Sequence, residues 1–311
     1  MSFPAGGVLV TGNIVFDVLA RPVEALPPWG ATLWVDSIAR HMGGNGSNTA
    51  YTLAKLGAPV RLAGAVGEDD FGRYVLDRLR GAGVDVSLVR VAAGVQTATT
   101  VGLINGRSDR LFLHALGTSE VMDPDWISFD PGWSYFHFAS FFQMPKMRRG
   151  GVALLERARR AGLFVSVDTM WDARGRWIED FGALCPLIDL LFVNQQEAQM
   201  LAGSSHPGVA GEFFRRRGVG IVVVKMGADG CAVFTAEEWL HAPGYVVTPV
   251  DTTGAGDCFC GAFLAALRRG YAPGEAARFA NMVGACSVLR VGATEGVLGF
   301  EETLAWQKGV L

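Results

Sequence analysis

The sequence predicts an α/β protein with a central, mostly parallel sheet, helices on both faces and a small β-sheet lid. Three observations carry that expectation. Short apolar runs with little polar alternation recur along the chain, as strands covered on both faces require. Between them lie stretches with apolar residues at spacings of three and four, each closing near a glycine suited to a left-handed C-cap. Two further segments break the rhythm and read as β-structure with polar alternation.

In chain order, strands are expected at 7–12 (GVLVTG), 60–67 (VRLAGAVG), 133–140 (WSYFHFAS), 163–168 (LFVSVD), 188–194 (IDLLFVN) and 220–227 (GIVVVKMG). Helices are expected over 49–56, 71–79 and 152–160, with Gly57, Gly81 and Gly162 as their stops. A later helix, CFCGAFLAALRRG, begins near Gly256 and ends at Gly270. Strand, helix and strand repeated in this way give a parallel sheet. Segments 31–43 and 96–117, the second holding the turn pair Asn105-Gly106, are expected to build a small antiparallel sheet. With insertions at about 14–42 and 96–117, that sheet would be a water-excluding lid on one α/β domain spanning 1–311.

Composition narrows the partners. With 50% hydrophobic and 18% charged residues in 311, the chain can bury a sizeable core. A net charge of -3 without a basic stripe excludes nucleic acid and anionic membrane as expected partners. The start, MSFPAGGVLVTG, lacks a signal-peptide pattern, and no apolar stretch is long enough to cross a bilayer, so a cytoplasmic location is expected. Five scattered cysteines with no CxxC pair read as reduced, buried thiols.

In open parallel sheets ligands bind beyond the carboxyl ends of the strands. The polar residues there are Asn13 and Asp17 after the first run, then Asp168, Asn194, and Lys225 with Gly227. The segment TTGAGD (252–257) enters the late helix, whose unpaired amides, unshielded at the glycines, would hold a phosphate. The alternative is that Thr252, Thr253 and Asp257 are plain helix caps; against it, a carboxylate in the first turn would repel that phosphate. Its placement makes sense as a base that takes a proton from an attacking hydroxyl. Neither a G-x-x-x-x-G-K-[ST] loop nor a strand-borne G-x-G-x-x-G occurs, so neither a Walker-type NTPase nor a dinucleotide-binding fold is supported. In GGNGSNTAYTLAKLG (43–57), Gly43 and Gly44 either make a simple turn or admit a polyhydroxylated ligand to Asn45 and Asn48. Asn194 followed by Glu197 is both a capping box and a candidate polar pair at the site.

The stretches GGNGSNTAYTLAKLGAPVRLAGAVGEDDFGRYV and DTTGAGDCFCGAFLAAL resemble the two signature regions of the ribokinase family, the phosphofructokinase-B-type carbohydrate kinases, and the likeness runs over about 8–299. The resemblance implies an ATP- and Mg2+-dependent kinase acting on a primary hydroxyl of a small sugar or polyol. Asp257 would be the catalytic base, and Gly254, Ala255 and Gly256 the anion hole. Acceptor contacts would be Asp17, Asn13, Gly43, Gly44, Asn45, Asn48 and Asp168, with Thr99, Phe112 and His114 in the lid. The nucleotide would meet Lys225, Gly227, Gly230 and Asn281, and Asn194 with Glu197 would organise magnesium and phosphate through water. Carbonyls of Asp251, Thr253, Ser287, Arg290, Gly292 and Gly296 would hold a monovalent cation such as K+.

Asn45 and Val15 stand where ribokinase itself has a lysine and an asparagine, and FFQMP lacks its acidic residue, which counts against ribose. Met170 and Asp172 likewise depart from kinases of acidic sugars. A nucleoside kinase, with Phe16, Trp34, Phe112 or Phe142 stacking the base, and a non-catalytic sugar or nucleotide sensor are the competing functions. Apolar positions Leu33, Val35 and Ile38 allow a homodimer through the lid sheet.

Overall fold

The computed structural model describes residues 3–107 and 109–310. Ser108, inside the segment expected over 96–117, lies outside the described residues. The strands are β1 (Gly7–Thr11), β2 (Val15–Arg21), β3 (Ser37–Gly43), β4 (Val60–Gly67), β5 (Asp85–Ala92), β6 (Ala98–Ile104), β7 (Arg110–Ala115), β8 (Trp133–Phe138), β9 (Phe164–Asp168), β10 (Leu190–Asn194), β11 (Ile221–Lys225), β12 (Cys231–Phe234) and β13 (Trp239–Ala242). The helices are α1 (Asn45–Lys55), α2 (Asp70–Gly81), α3 (Pro145–Arg160), α4 (Ile178–Phe181), α5 (Gln195–Ala202), α6 (Pro207–Arg216), α7 (Ala255–Arg268), α8 (Pro273–Ser287) and α9 (Phe300–Val310).

Nine strands form the main sheet in the order β13-β12-β11-β10-β9-β8-β1-β4-β5. Pairing is parallel from β5 through to β11, and antiparallel only where β12 and β13 close one edge. All six expected runs are central strands. The edge strands β5 and β13 are not expected from the sequence because they are half exposed and lack a continuous apolar run, and β12, though apolar and buried, is only four residues long. One core fills each face: Leu53, Phe192, Val223 and Phe263 on one side, Leu9, Phe136, Leu154 and Phe181 on the other.

The helices begin earlier than their apolar periodicity suggests. Helix α1 starts at Asn45 because its first turn faces a cavity rather than the core, and α3 starts with Pro145 in its first turn. Gly57 and Gly162 take the left-handed stops at φ 78° and 77°, whereas Gly81 is still helical and Gly83, at φ 90°, follows α2. All five cysteines are buried and free. No helix among the described residues is long and apolar enough to cross a membrane.

A second sheet, ordered β3-β2-β6-β7, carries both lid insertions. It is not wholly antiparallel as expected, because β2 and β6 pair parallel. The residues 31–36 are not strand; the pairing begins at Ser37.

Helix α7 explains how the site is assembled. It is buried from Asp257 to Leu267, which its glycine, alanine and cysteine side chains make possible. At Gly261 the backbone of α1 comes so close that a Cβ would lie 2.9 Å from the Thr49 carbonyl. That approach brings the first turn of α1 over the first turn of α7, and Asn45 and Asn48 over Asp257.

Candidate active site

Two cavities meet at the N-terminus of α7, both lined by Lys225, Thr252 and Gly256. One, of about 470 Å³, lies between the lid and the carboxyl ends of β1, β9, β10 and β11. The other, of about 420 Å³, runs outward past Gly227, Gly230 and Asn281.

The junction is built from a glycine with a special conformation. Gly254 precedes α7 at φ 71°, and no side chain caps the helix there. Thr252, Thr253 and Asp257 are therefore not its caps, and the first intrahelical bond is Cys258 N–H to the Gly254 carbonyl at 2.9 Å. The preceding amides face the junction with the positive end of the helix dipole behind them. A Cβ at Gly254 would lie 2.5 Å from that of Ala293. Gly254→Ala is expected to cost at least about 1 kcal/mol of stability from the left-handed backbone alone, which a urea melt would show, and to impair any anion binding measured at the junction.

Asp257 is buried between two amides. Its Oδ1 accepts from Asn45 Nδ2 at 2.6 Å and its Oδ2 from Asn48 Nδ2 at 2.8 Å. Burial raises its pKa to about 6, with the Asp168 charge adding to it and the amide bonds and Lys225 opposing it. The carboxylate is thus ionised at neutral pH yet poised to take a proton. Asn48 Oδ1 is buried without a partner among the described residues, an acceptor waiting for a ligand donor.

Asp17 enters the same cavity from the lid strand β2. A Cβ at Gly43 would overlap its carboxylate, so Gly43 serves Asp17 rather than lining the cavity itself, while Gly44 does line it at φ 90°. Asn13 reaches the cavity but is occupied by the chain: its Oδ1 accepts from Asn45 N–H and Ser140 Oγ, and its Nδ2 donates to Gln143 Oε1. Lys225 Nζ is paired with Asp168 Oδ1 at 2.8 Å. Burial opposes the ammonium there, but the charges of Asp168 and Glu197 outweigh it and hold its pKa above the ordinary value. Asn194 and Glu197 make the expected capping box and also face the cavity, with Glu197 Oε2 further held by Thr169 Oγ1 at 2.8 Å. Burial raises the Glu197 pKa.

Thr99 does not reach the site. Asp17 pairs across the sheet with Thr100, so Thr99 points to the other face, and it is Thr100, hydrogen-bonded to His114 Nδ1 at 3.0 Å, that lines the cavity. The pattern alone misplaces the strand by one residue, which in a β-strand is the whole difference between faces. Arg110, Gln143 and Met170 also line the cavity and were missed. Gln143 belongs to FFQMP, the stretch that lacks an acidic residue. Met170 follows from Asp172, which lies away from the cavity and accepts from Arg148 and from the amides of Arg174, Arg176 and Trp177. That network pins a loop in which Met170 adopts φ 68°. Of the four aromatic residues considered for a nucleobase, only Phe112 lines the cavity. Phe16 stacks on Phe71, Phe142 packs against Trp177, and Trp34 is exposed.

Asp251 ties the loops beside the junction, accepting from Thr253 N–H and Gly292 N–H at 2.9 Å each. Gly296 packs onto the Cys286 and Ser287 carbonyls, and the Arg290 side chain is exposed. Among the described residues no group of three or more His, Cys, Asp or Glu is arranged to hold a metal.

The sequence pattern of the pfkB family carbohydrate kinases matches residues 7–298. The chain is 32% identical over 286 residues to the ATP-dependent ribose-1-phosphate kinase of Halopiger xanaduensis, covering 92% of this chain and 93% of that protein. Among solved structures, Arabidopsis thaliana ribokinase complexed with ribose and ATP superposes with a TM-score of 0.85 at 26% identity, over 99% of both chains. An E. coli Ribokinase II in complex with ATP and Mg2+ gives 0.88 at 25% identity, over 98% of this chain and 99% of that one.

Proposed function

This chain belongs to the pfkB family of carbohydrate kinases, and from that premise we propose that it phosphorylates a primary hydroxyl of a small sugar or related polyol with ATP. The observation that carries the reading is Asp257, an ionisable carboxylate held by two amides where an acceptor cavity and a second cavity meet at an uncapped helix N-terminus.

The acceptor lies in the lid-side cavity, with hydroxyls on the Asp17 carboxylate, Asn48 Oδ1 and the Gly44 backbone. ATP lies in the other cavity, its adenine toward Asn281 and its phosphates over Gly227 and Gly256. Asp257 takes the proton from the acceptor hydroxyl. The freed oxygen attacks the γ-phosphorus in line, the bond from that phosphorus to the bridging oxygen breaks, and ADP leaves. The amides of Gly254, Ala255 and Gly256 and the Lys225 ammonium meet the charge on the transferring phosphoryl, so that positioning and electrostatics do most of the work. Magnesium, carried by the nucleotide, would be organised through water by Asn194 and Glu197 and supplies charge neutralisation. The hard oxygens at that position suit it. A monovalent cation such as K+ would use main-chain carbonyls of Asp251, Thr253, Ser287, Arg290, Gly292 and Gly296, and the packing of Gly296 onto the Ser287 carbonyl fits that arrangement.

Polar side chains dominate the cavity lining, with Asp17, Asn48 and Asp168 placed for hydroxyls, and on that ground we read the acceptor as a sugar rather than a nucleoside. ATP consumption across sugars, sugar phosphates, sugar acids and nucleosides tests the reading. Turnover with at least one non-nucleoside is expected, and retained ligand binding with no turnover anywhere would instead make the protein a sensor.

The outer face of the lid sheet presents Ile38, Leu111 and Leu113, which are 69%, 44% and 60% exposed. We assign that face to a homodimer contact. Light scattering is expected to give a dimer at micromolar concentration and a monomer for Leu113→Asp; a monomeric parent protein would rule the pairing out.

A further inference from the structure

We propose that Arg110, a residue of the lid, is a catalytic residue whose guanidinium contacts the transferring phosphoryl group; this rests on the kinase reading above. Arg110 opens β7, on the face of the lid sheet that it shares with Phe112 and His114 and that meets the acceptor cavity. Its Nη1 donates to Thr253 Oγ1 at 2.9 Å, so it crosses the cavity mouth and lands on the residue immediately before Gly254. No other lid side chain has a hydrogen bond to the glycine loop among the described residues.

Charge accounts for its position. Five carboxylates, those of Asp17, Asp168, Glu197, Asp251 and Asp257, stand in or beside the acceptor cavity, against two cations, Arg110 and Lys225. Lys225 is already matched by Asp168. Asp251 lies 3.9 Å from Arg110 Nη1, but its two oxygens already accept from the amides of Thr253 and Gly292, so it steers the guanidinium without engaging it closely. The hydrogen bond Arg110 does make is to a neutral hydroxyl and uses one of its five donors. A planar guanidinium anchored beside the anion hole is suited to the equatorial phosphoryl oxygens as they gather charge. It also answers the repulsion that Asp257 imposes on a phosphate at the same helix mouth. Because Arg110 belongs to the lid, the same sheet that covers the acceptor cavity supplies that charge.

Two measurements test this on the full chain. Calorimetric titration with Mg2+ and either ADP or AMP-PNP is expected to show that Arg110→Gln weakens AMP-PNP binding about tenfold and leaves ADP unchanged. An equal effect on both nucleotides, or on neither, overturns the proposal. With an acceptor that turns over, Arg110→Ala is expected to lower kcat about tenfold with little change in acceptor KM, and millimolar guanidinium is expected to restore part of the rate. A rise in acceptor KM at unchanged kcat overturns the proposal and makes Arg110 a reader of an anionic acceptor, such as a sugar phosphate. If the parent protein turns over nothing, the kinase reading fails, while the comparison of AMP-PNP with ADP still decides the place of Arg110.

Discussion

Asp257→Asn is expected to lower kcat roughly 10²–10⁴-fold, the usual cost of losing a general base, while the protein stays folded. The asparagine fits the same space and keeps one acceptor between Asn45 and Asn48, so nucleotide binding, read by calorimetry, should be close to that of the parent. In the parent protein the ionised form is the active one, so the rate should fall as pH drops through about 6, the pKa to which burial lifts this carboxylate. Stability should respond in the opposite sense. A carboxyl whose folded pKa exceeds its ordinary 3.8 contributes stability that is complete below about pH 4 and is lost as pH rises through about 6. The displacement corresponds to roughly 3 kcal/mol at neutral pH, so Asp257→Asn should melt at a higher temperature than the parent at pH 8, and the gap should close toward pH 4. Retention of more than a tenth of the parent kcat would remove Asp257 from the chemistry.

Such a trade, stability given up to keep a charge buried at a reaction centre, is also why the sequence discloses some of this site and hides the rest. Asp257, Asn45 and Asn48 were legible because each sits in a local pattern with a physical signature: small residues opening a helix, or a diglycine followed by amides. The six central strands were legible because burial on both faces writes a continuous apolar run. Thr100 was not, because which face a lid strand turns inward depends on its register with β2, and that register is a tertiary fact. Arg110 was hidden for a similar reason: its partner Thr253 is 143 residues away, and a lone arginine at the start of a hairpin strand carries no local mark. Asn13 shows the reverse case. Its place after β1 suggested a ligand contact, yet the fold uses its amide to hold the start of α1 against Ser140 and Gln143.

Asp17 is the second position where function and stability should separate. Burial, opposed by the Thr100 hydroxyl and reinforced by the charges of Asp251 and Asp257, lifts its pKa from 3.8 to about 7. As a carboxylate it can accept from two acceptor hydroxyls, and charge-assisted bonds of that kind contribute about 1.5–3 kcal/mol each. Asp17→Asn is therefore expected to raise acceptor KM on the order of 10²-fold with a smaller effect on kcat, since the residue binds the acceptor rather than moving its proton. In the parent protein acceptor KM should fall as pH rises through about 7, and in Asp17→Asn that dependence should vanish, leaving only the change in kcat near pH 6. Stability again runs the other way, being fully supported by this group below about pH 4 and losing that support as pH rises through about 7. Urea denaturation at pH 5 and pH 8 should show the variant gaining over the parent mainly at the higher pH. An unchanged acceptor KM would mean that Asp17 shapes the lid without touching the acceptor. A kcat loss as deep as that of Asp257→Asn would mean that the two carboxylates act as one proton-handling pair.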